Sequence, residues 1–283
     1  MTSLVGGLVL TMLSSLLSTG MFSEAFCLFH NLAPTIATLQ ATPTCREKWL
    51  TEVPEADSPP RIVLVATGSV AAVKVPELAR KLADFAEVAV ILTAAAEVMT
   101  SAKIAGRYAP ENFRAWERMD RLHVLRDFDE WDRYEDVSSD LVVHVELRKW
   151  ADVALVAPCS ANTLGKMALG LCDNLAACFL RAWDPDKPLL VAPAMNTVMW
   201  EHPSTAQHLS TLESYGCRVV PPSCKRLACG DVGRGALAPV GDVVEAVKEA
   251  CGGVAERRSC ASAVGSWQRH GFQEWQPATT DDL

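Results

Sequence analysis

Short apolar runs alternate with amphipathic stretches between residues 61 and 250, and this alternation constrains the fold more than any other feature of the sequence. Each run is rich in Val, Ile or Leu and is followed by Thr or Pro, as is typical of a buried strand that ends in a turn. The predicted strands are residues 61–66, 87–92, 151–157, 188–192 and 217–220. Strands separated by helices pair in parallel, with both faces of the sheet covered. We therefore predict one α/β domain with a three-layer, doubly wound, mainly parallel sheet of the Rossmann or flavodoxin type.

Four helices are predicted between and after these strands. The first begins near Val70, and the second runs without a break from Ser160 to about Trp183. The other two occupy residues 204–215 and 242–250. Ligands of such sheets bind beyond the carboxyl ends of the strands, so the residues directly after each strand are the candidates for a functional site.

The two ends of the chain do not continue the alternation. Leu4 to Phe22 carries no charge and the first basic residue is Arg46, which fits neither a secretory signal nor a mitochondrial transit peptide. Three interpretations are open: an unusual targeting segment, a membrane anchor, or a first exon assigned in error, of which we favour the last. We predict that residues 1–60 are an extension ending in a linker, that 61–252 form the domain, and that 253–283 are disordered.

Charge and cysteine content exclude several classes of protein. The net charge is -8 and no run of Lys or Arg could follow a phosphate backbone, so we expect no nucleic acid among the partners, and no membrane. Ten cysteines occur without a CxxC pair, in a chain long enough to build a hydrophobic core. We interpret most of them as reduced core residues of a cytoplasmic protein, and we predict no metal site.

Hydrogen-bonding residues follow two of the predicted strands. Gly68, Ser69 and Val70 come after the first strand, and Ser160 to Thr163 come after the third. Either segment alone is explained by an ordinary capped helix start. Two helix starts at one edge of a sheet, however, can bind a phosphate together, and together they indicate a mononucleotide cofactor. The first segment is not GxGxxG, so a dinucleotide is not indicated.

Three further segments carry candidate chemistry. Asn196 lies between two methionines directly after a strand, where its amide could bind a carboxylate. His144 would share one face with Glu146 and Arg148 if that segment were extended, and Glu146 would then tune the imidazole; the competing interpretation is a structural histidine. Cys229 lies in a glycine-rich stretch after two basic residues, which fits a reactive thiol on a mobile flap, with an incidental surface cysteine as the alternative.

Taken in order, these segments resemble the homo-oligomeric flavin-containing cysteine decarboxylases, over about residues 61–250. The most specific matches are His144–Asp152, Pro193–Trp200 and Leu227–Asp231. The resemblance implies an FMN cofactor and decarboxylation of 4'-phosphopantothenoylcysteine to 4'-phosphopantetheine in coenzyme A biosynthesis. The residues that it implies for FMN binding are Gly68, Ser69, Val70, Thr93, Ala95, Ser160, Ala161, Asn162, Thr163 and Ala194.

The same resemblance implies roles for the reactive residues. His144 matches the active-site base and Cys229 the proton donor on the flap. The implied substrate-binding residues are Asn196, Met199, Arg148 and Ala228. The family is trimeric, with each active site between protomers. One departure is Lys149, where close relatives have a second arginine, and lysine lacks the planar fork that grips a carboxylate.

Three other functions remain open from the sequence. The chief alternative is a non-catalytic regulatory flavoprotein of the same fold, like the fungal halotolerance proteins that regulate a phosphatase. The others are a decarboxylase of peptides that end in cysteine, and a flavin prenyltransferase. Retention of His144, Asn196 and Cys229 favours the enzyme acting on the small substrate.

Overall fold

The computed structural model describes residues 49–258, except 56–57, 117–118, 120, 133, 137–139, 227–231 and 255. The chain divides into two units, residues 1–49 and 50–283, and the architecture is that of the second. The interpretations of residues 1–48 and 259–283 therefore lie outside the described residues.

Six parallel strands form a single sheet, which confirms the predicted doubly wound α/β fold. Their order across the sheet is β3–β2–β1–β4–β5–β6. The strands are β1 (Arg61–Ala66), β2 (Glu87–Leu92), β3 (Leu122–Arg126), β4 (Val153–Cys159), β5 (Leu189–Pro193) and β6 (Arg218–Val219). A separate antiparallel pair consists of β7 (Ser223–Arg226) and β8 (Val232–Ala236).

Helices cover the sheet between the strands. The α-helices are α1 (Val75–Ala83), α2 (Ala94–Thr100), α3 (Ala105–Tyr108), α4 (Pro110–Trp116), α5 (Val143–Trp150), α6 (Ala161–Leu169), α7 (Leu175–Arg181), α8 (Thr197–Glu201), α9 (Pro203–Ser214) and α10 (Val240–Cys251). Short 3-10 helices occupy Val70–Lys74 and Asp127–Glu130. In the part of the chain that the structure describes, no helix has the length and apolarity that crossing a membrane requires.

The core lies between the sheet and the helices on its faces. Every residue of β1 and β4 is buried, and Leu78 of α1 and Val247 of α10 pack into the same cluster. Full burial of such a side chain stabilises the fold by about 1.5–3 kcal/mol, so the central strands form a rigid platform for the loops at their ends.

The sequence predictions for the edge strand, the long second helix and the flap are wrong. β3 was not predicted because it is a half-buried edge strand in which His123 and Arg126 interrupt the apolar run. The predicted helix from Ser160 to Trp183 is two helices, because Gly170 ends α6 in the left-handed conformation (φ 71°) and Asn174 caps α7. The predicted flap contains the paired strands β7 and β8 rather than a loop throughout.

The domain extends beyond the predicted boundary at Gly252. Val254 is 5% exposed and belongs to the core cluster. The Arg258 guanidinium forms an ion pair with Asp152 (2.6 Å) and donates to the carbonyl oxygens of Ser58 (3.0 Å) and Pro59 (3.2 Å). The sequence did not predict these contacts of Val254 and Arg258, because one valine and one arginine among polar residues make no periodic pattern.

Candidate active site

A cavity of about 690 Å³ lies beyond the carboxyl ends of β1, β4 and β5. β1 and β4 meet where the strand order reverses, the position at which doubly wound sheets bind ligands. Nine residues that the sequence assigned to cofactor or substrate line this cavity: Gly68, Ser69, Val70, Ser160, Ala161, Asn162, Ala194, Asn196 and Met199. The structure thus brings together residues from three separate segments of the chain.

Thr67 joins the first two of these segments. Its buried hydroxyl donates to the carbonyl oxygen of Pro158 (2.7 Å) and accepts the backbone N–H of Ser160 (2.8 Å). The Thr67 N–H also donates to Pro158 (3.2 Å). These bonds fix the loop after β1 against the loop after β4. The sequence analysis gave Thr67 no role, although a threonine directly after a strand was the available signal.

Both serines of the predicted phosphate site cap helices, as predicted. Ser69 Oγ accepts the N–H of Ala71 (3.3 Å) at the start of the first 3-10 helix. Ser160 Oγ accepts the N–H of Thr163 (3.3 Å) and donates to the Thr163 hydroxyl (3.2 Å). The hydroxyl of Ser160 is therefore bonded within its own helix, and Thr163 lies behind the cavity wall. Contact between Thr163 and a cofactor stays a prediction.

Gly68 is required by its close approach to Ala95. A Cβ atom at position 68 would lie 2.6 Å from the Cβ of Ala95, closer than two non-bonded carbon atoms can pack. Thr93 caps α2 through a bond from the N–H of Ala96 (3.4 Å). Thr93 and Ala95 are absent from the cavity lining among the described residues, and Ala95 packs against Gly68. Direct contact of either with a cofactor stays a prediction.

Asn196 has a fixed orientation at the cavity. Its Oδ1 accepts the N–H of Met199 (2.8 Å) and thereby caps α8. Because the carbonyl end of the amide is held by the helix, the NH2 end remains as the donor. Ala194, two residues earlier, is anchored too, since its N–H donates to the carbonyl oxygen of Cys159 (2.9 Å). An amide donor held in this way suits a ligand that offers acceptors only.

The base of the β7–β8 pair closes one side of the cavity. The Met195 N–H donates to the carbonyl oxygen of Gly235 (2.9 Å). Gly235 has φ 120°, and a Cβ there would lie 2.6 Å from the Met195 carbonyl oxygen, so both conformation and space require glycine. Ala228 and Cys229 lie outside the described residues, and their roles stay predictions.

Several residues of the cavity lining had no role predicted from the sequence. Lys74 and Tyr108 line the cavity, and Lys74 is the one charged side chain among the lining residues that the structure describes. Lys74 is the last residue of the 3-10 helix that Ser69 caps. Its position one short helix after the predicted phosphate site could have indicated from the sequence that it lies near the cavity. No sequence signal marks Tyr108, which is brought to the cavity by the short helix α3.

The segment that carries His144 is the helix α5, so the predicted extended conformation is wrong. Val143, Leu147 and Trp150 recur at helical spacing, and Leu147 and Trp150 are buried. The sequence analysis used the alternation of polar residues instead. In the helix, the Glu146 carboxylate binds Lys149 Nζ (2.7 Å). Glu146 is therefore not the partner of His144.

Glu130 is the carboxylate that contacts His144. Its Oε1 lies 2.5 Å from His144 Nδ1, and its Oε2 accepts the backbone N–H of His144 (3.2 Å). The Glu130 side chain is 4% exposed and that of His144 is 22% exposed. The sequence analysis missed Glu130, which lies 14 residues before the histidine in a stretch without any periodic pattern.

The other end of α5 is held by Lys187. Its ammonium group donates to the carbonyl oxygens of Ala151 (2.7 Å), Arg148 (2.9 Å) and Lys149 (3.4 Å). Burial lowers the pKa of Lys187 from its ordinary value of 10.5. Although Lys187 loses hydration, its ammonium group supplies hydrogen-bond donors to the last carbonyl groups of the helix, which lack partners within it.

His144 and Arg148 do not line the cavity among the residues that the structure describes. The cavity of this chain thus contains seven of the predicted cofactor residues together with Asn196 and Met199, whereas the predicted base lies on another element. Arg148 has one buried nitrogen, Nε, that makes no hydrogen bond within the described chain.

The buried cysteines are not reactive groups. Six cysteines are free in the described residues, including Cys159 and Cys217, which are buried. Burial raises the pKa of Cys159, and it raises the pKa of Cys217 to about 11. Of the described cysteines, Cys159 and Cys217 are core residues, whereas Cys172 and Cys224 are exposed, so the interpretation of most cysteines as reduced core residues stays a prediction. Across the same residues, no group of three or more His, Cys, Asp or Glu side chains could hold a metal ion.

Comparison with known proteins decides the family. The sequence profile of the family described as Flavoprotein matches residues 50–252, which is more than half of the chain. The chain belongs to the Flavoprotein family. A curated member from Oryza sativa subsp. japonica, phosphopantothenoylcysteine decarboxylase, is 47% identical over 69% of this chain and 82% of its own length.

Solved Flavoprotein structures give the same result. A cysteine-to-serine mutant of PPC decarboxylase, complexed with pantothenoylaminoethenethiol, is 42% identical over 68% of this chain and 97% of that chain, with a TM-score of 0.60. The FMN binding protein AtHal3 is 43% identical over 67% of this chain and 95% of that chain, with a TM-score of 0.58.

The cavity fits the flavin mononucleotide expected of a Flavoprotein member. Helices or 3-10 helices begin at Val70, Ala161 and Thr197 around one opening, so backbone N–H groups are available to a phosphate without any arginine. At Gly68 and Gly235 the backbone lies so close to neighbouring protein atoms that a Cβ would clash, so both positions lack a side chain. Val70, Met195 and Met199 form an apolar wall of the cavity. These features suit a flat ring with a single phosphate.

Proposed function

We propose that this chain is an FMN-dependent carboxy-lyase that converts 4'-phosphopantothenoylcysteine to 4'-phosphopantetheine in coenzyme A biosynthesis. The observation that carries the proposal is that the flavin cradle and the fixed amide of Asn196 line one cavity. Relatives named phosphopantothenoylcysteine decarboxylase, at 44–47% identity in rice and mouse, support the choice of substrate.

The cofactor would be held by backbone groups of Gly68 to Val70 and of Ser160 to Asn162, with Ala194 beside the ring. When bound, FMN supplies a two-electron oxidation of the cysteine side chain and later returns the electrons, so the reaction is redox-neutral overall. The low charge of the cradle suits this role, because Lys74 alone among the described lining residues is ionic.

Asn196 would bind the carboxylate that leaves as carbon dioxide. Its Oδ1 is engaged by the Met199 N–H, so the NH2 group is the part presented to a ligand. A carboxylate accepts hydrogen bonds and donates none, which matches this donor. The neutral amide also holds the carboxylate without an ion pair that would oppose its departure.

His144 and Cys229 would move protons in different halves of the reaction. His144 would accept a proton from the substrate during its oxidation, with Glu130 behind the ring. Cys229 would donate a proton as the enethiol left by decarboxylation is reduced. The solved cysteine-to-serine mutant complexed with an ethenethiol supports this order, since the enethiol is what should accumulate without a thiol donor.

The complete site would form between protomers of a homotrimer. Within one protomer, His144 and Arg148 lie apart from the cavity lining described for that chain. A second copy would bring them to the cavity that contains Asn196. An anionic group of the substrate would then supply the acceptor that Arg148 Nε lacks within the described residues.

The purified protein tests the proposal in two measurements. We expect a yellow protein that releases FMN on denaturation, and release of carbon dioxide from 4'-phosphopantothenoylcysteine with 4'-phosphopantetheine as product. The control variant His144→Asn should keep its FMN and lose carbon dioxide release by at least about 100-fold.

Each contrary outcome points to a different function. Bound FMN without turnover of this substrate would contradict the proposal and favour the regulatory flavoprotein, a role consistent with the name of the FMN binding protein AtHal3. Turnover of a peptide ending in cysteine, without turnover of the small substrate, would favour the peptide decarboxylases. A colourless protein that cannot be reconstituted with FMN would exclude the proposed chemistry altogether.

A further inference from the structure

The described residues contain two pairs of histidine and glutamate, and they differ in burial. Glu87 Oε1 lies 3.4 Å from His123 Nε2 at the edge of the sheet, with a side chain that is 25% exposed. Glu130 Oε1 lies 2.5 Å from His144 Nδ1, with a side chain that is 4% exposed. Burying a carboxylate is costly unless its oxygens are hydrogen-bonded, so the second pair calls for a reason.

Both oxygens of Glu130 contact the same residue. Oε2 accepts the backbone N–H of His144, which is one of the first N–H groups of α5 and has no partner within the helix. Val142, the N-cap residue, provides no side-chain bond, so Glu130 caps the helix from a distant element. Capping alone, however, would occupy a single oxygen. The contact of Oε1 with the imidazole is additional.

Two donors therefore face two acceptor oxygens. A carboxylate can accept but cannot donate, so the proton of a neutral imidazole is placed on Nδ1. The lone pair then lies on Nε2, the nitrogen on the far side of the ring from Glu130. Because the backbone and the ring of His144 are both bound by one rigid group, the direction of Nε2 is fixed as well.

We infer that Glu130 is a positioning residue for the reaction: it holds His144 in the Nδ1–H tautomer, so that Nε2 is the nitrogen that takes the substrate's proton. The inference rests on the proposed function for the identity of that proton. In the step itself, the proton moves from the substrate to Nε2, the Nδ1–H bond stays intact, and Glu130 neither gains nor loses a proton.

Glu130→Gln separates this role from simple capping. A glutamine offers one acceptor and one donor, and the backbone N–H of His144 requires the acceptor. The amide NH2 would then face the ring, which would have to accept at Nδ1 and carry its proton on Nε2. We expect nitrogen-15 NMR of histidine-labelled holoenzyme to show Nδ1–H for neutral His144 in the wild type and Nε2–H in Glu130→Gln. The His144→Asn spectrum identifies the signals among the six histidines.

The kinetic effect should follow the tautomer. We expect kcat of Glu130→Gln to fall about 100-fold, the lower range of general acid–base contributions, with KM and FMN content unchanged. Glu130→Asp retains a carboxylate and should recover the Nδ1–H form and at least about tenfold of that loss. The matched control is Glu87→Gln, which alters the other histidine–glutamate pair and should leave kcat and the His144 signals unchanged.

Several results would overturn the inference. Nε2–H in the wild-type protein would do so directly, whatever the variants do. A fall in kcat of Glu130→Gln with an unchanged tautomer would leave Glu130 a capping residue only. A normal kcat with an inverted tautomer would show that the tautomer set by Glu130 does not matter for the reaction, which also contradicts the inference. If the wild-type protein releases no carbon dioxide, the proposed function fails, but the NMR result still decides the orientation of His144.

Discussion

The cofactor cavity and the helix that carries His144 are constructed in different ways. The cavity is formed by small residues and backbone groups at three strand ends, joined by the uncharged hydroxyl of Thr67. Helix α5 is held at both ends by ionisable side chains, the buried Glu130 at its start and the half-buried Lys187 at its end. The cavity thus depends on close packing and uncharged hydrogen bonds, whereas the position of the helix depends on ionisable side chains from other elements.

This difference suits two tasks. A flavin that must be oxidised and reduced is served by a rigid, weakly charged surface. A base that must take up a proton needs a defined direction and a polar environment. If the comparison is correct, mutations in one region should leave the function of the other region intact.

The largest separable effect is expected at Gly68. In Gly68→Ala the new methyl group would meet the Cβ of Ala95 at 2.6 Å, and overpacking of this kind costs about 1–3 kcal/mol. We therefore expect FMN affinity, measured by fluorescence titration of the apoprotein, to fall about 10–100-fold. The double variant Gly68→Ala/Ala95→Gly should recover most of it, because the opposing methyl group is removed.

Gly241→Ala is the matched control, since a Cβ at this helical glycine meets nothing within 4 Å. FMN affinity of this variant should equal that of the wild type. Normal flavin binding by Gly68→Ala would show that the loop after β1 is free to move and that the cavity is less closely packed than proposed.

A smaller effect is expected at Lys187, on the helix side. Lys187→Met removes the donor from three carbonyl oxygens at the end of α5, which should lower the free energy of unfolding by about 1–2 kcal/mol. FMN content should not change, while kcat should fall as α5 loosens. Lys81→Met, which breaks an exposed ion pair with Glu77, should alter stability by less than about 0.5 kcal/mol.

The pH dependence sharpens the test of Lys187. Burial lowers the pKa of Lys187 in the folded protein, so the unfolded chain binds more protons at this residue as the pH approaches 10.5. Stability contributed by this residue should therefore rise with pH below that value. The difference in melting temperature between wild type and Lys187→Met should widen towards alkaline pH, and a constant difference would contradict the assignment.

The sequence predicted the cavity better than it predicted the helix, and the reason is physical. Strand periodicity and the capping residues Ser69 and Ser160 are local patterns, and the parallel sheet brings their ends together by topology alone. The contacts of α5 come from side chains on other elements, such as Lys187, which lies 39 residues after Arg148. Glu130 and Lys187 have no local pattern, and Glu146 was chosen in place of Glu130 because it was the nearest carboxylate in the chain.

The edge strand β3 illustrates the same limit for the fold. Its polar residues are tolerated because only one neighbour, β2, pairs with it, and so the apolar signature of a central strand is missing. Similarly, the division between α6 and α7 depends on Gly170, whose left-handed conformation a helical periodicity does not reveal.

Mixing two inactive variants tests whether helix α5 of one protomer completes the cavity of another, as proposed. His144→Asn removes the base, and Asn196→Asp keeps the cap of α8 but replaces the NH2 donor with a repelling carboxylate. Each variant alone should bind FMN and release almost no carbon dioxide. After dissociation and reassembly at equal amounts, about one quarter of the sites should contain both intact residues, because each site draws one from each of two neighbours. The account predicts recovery towards a quarter of wild-type activity. No recovery in mixed oligomers shown to have exchanged subunits would contradict it.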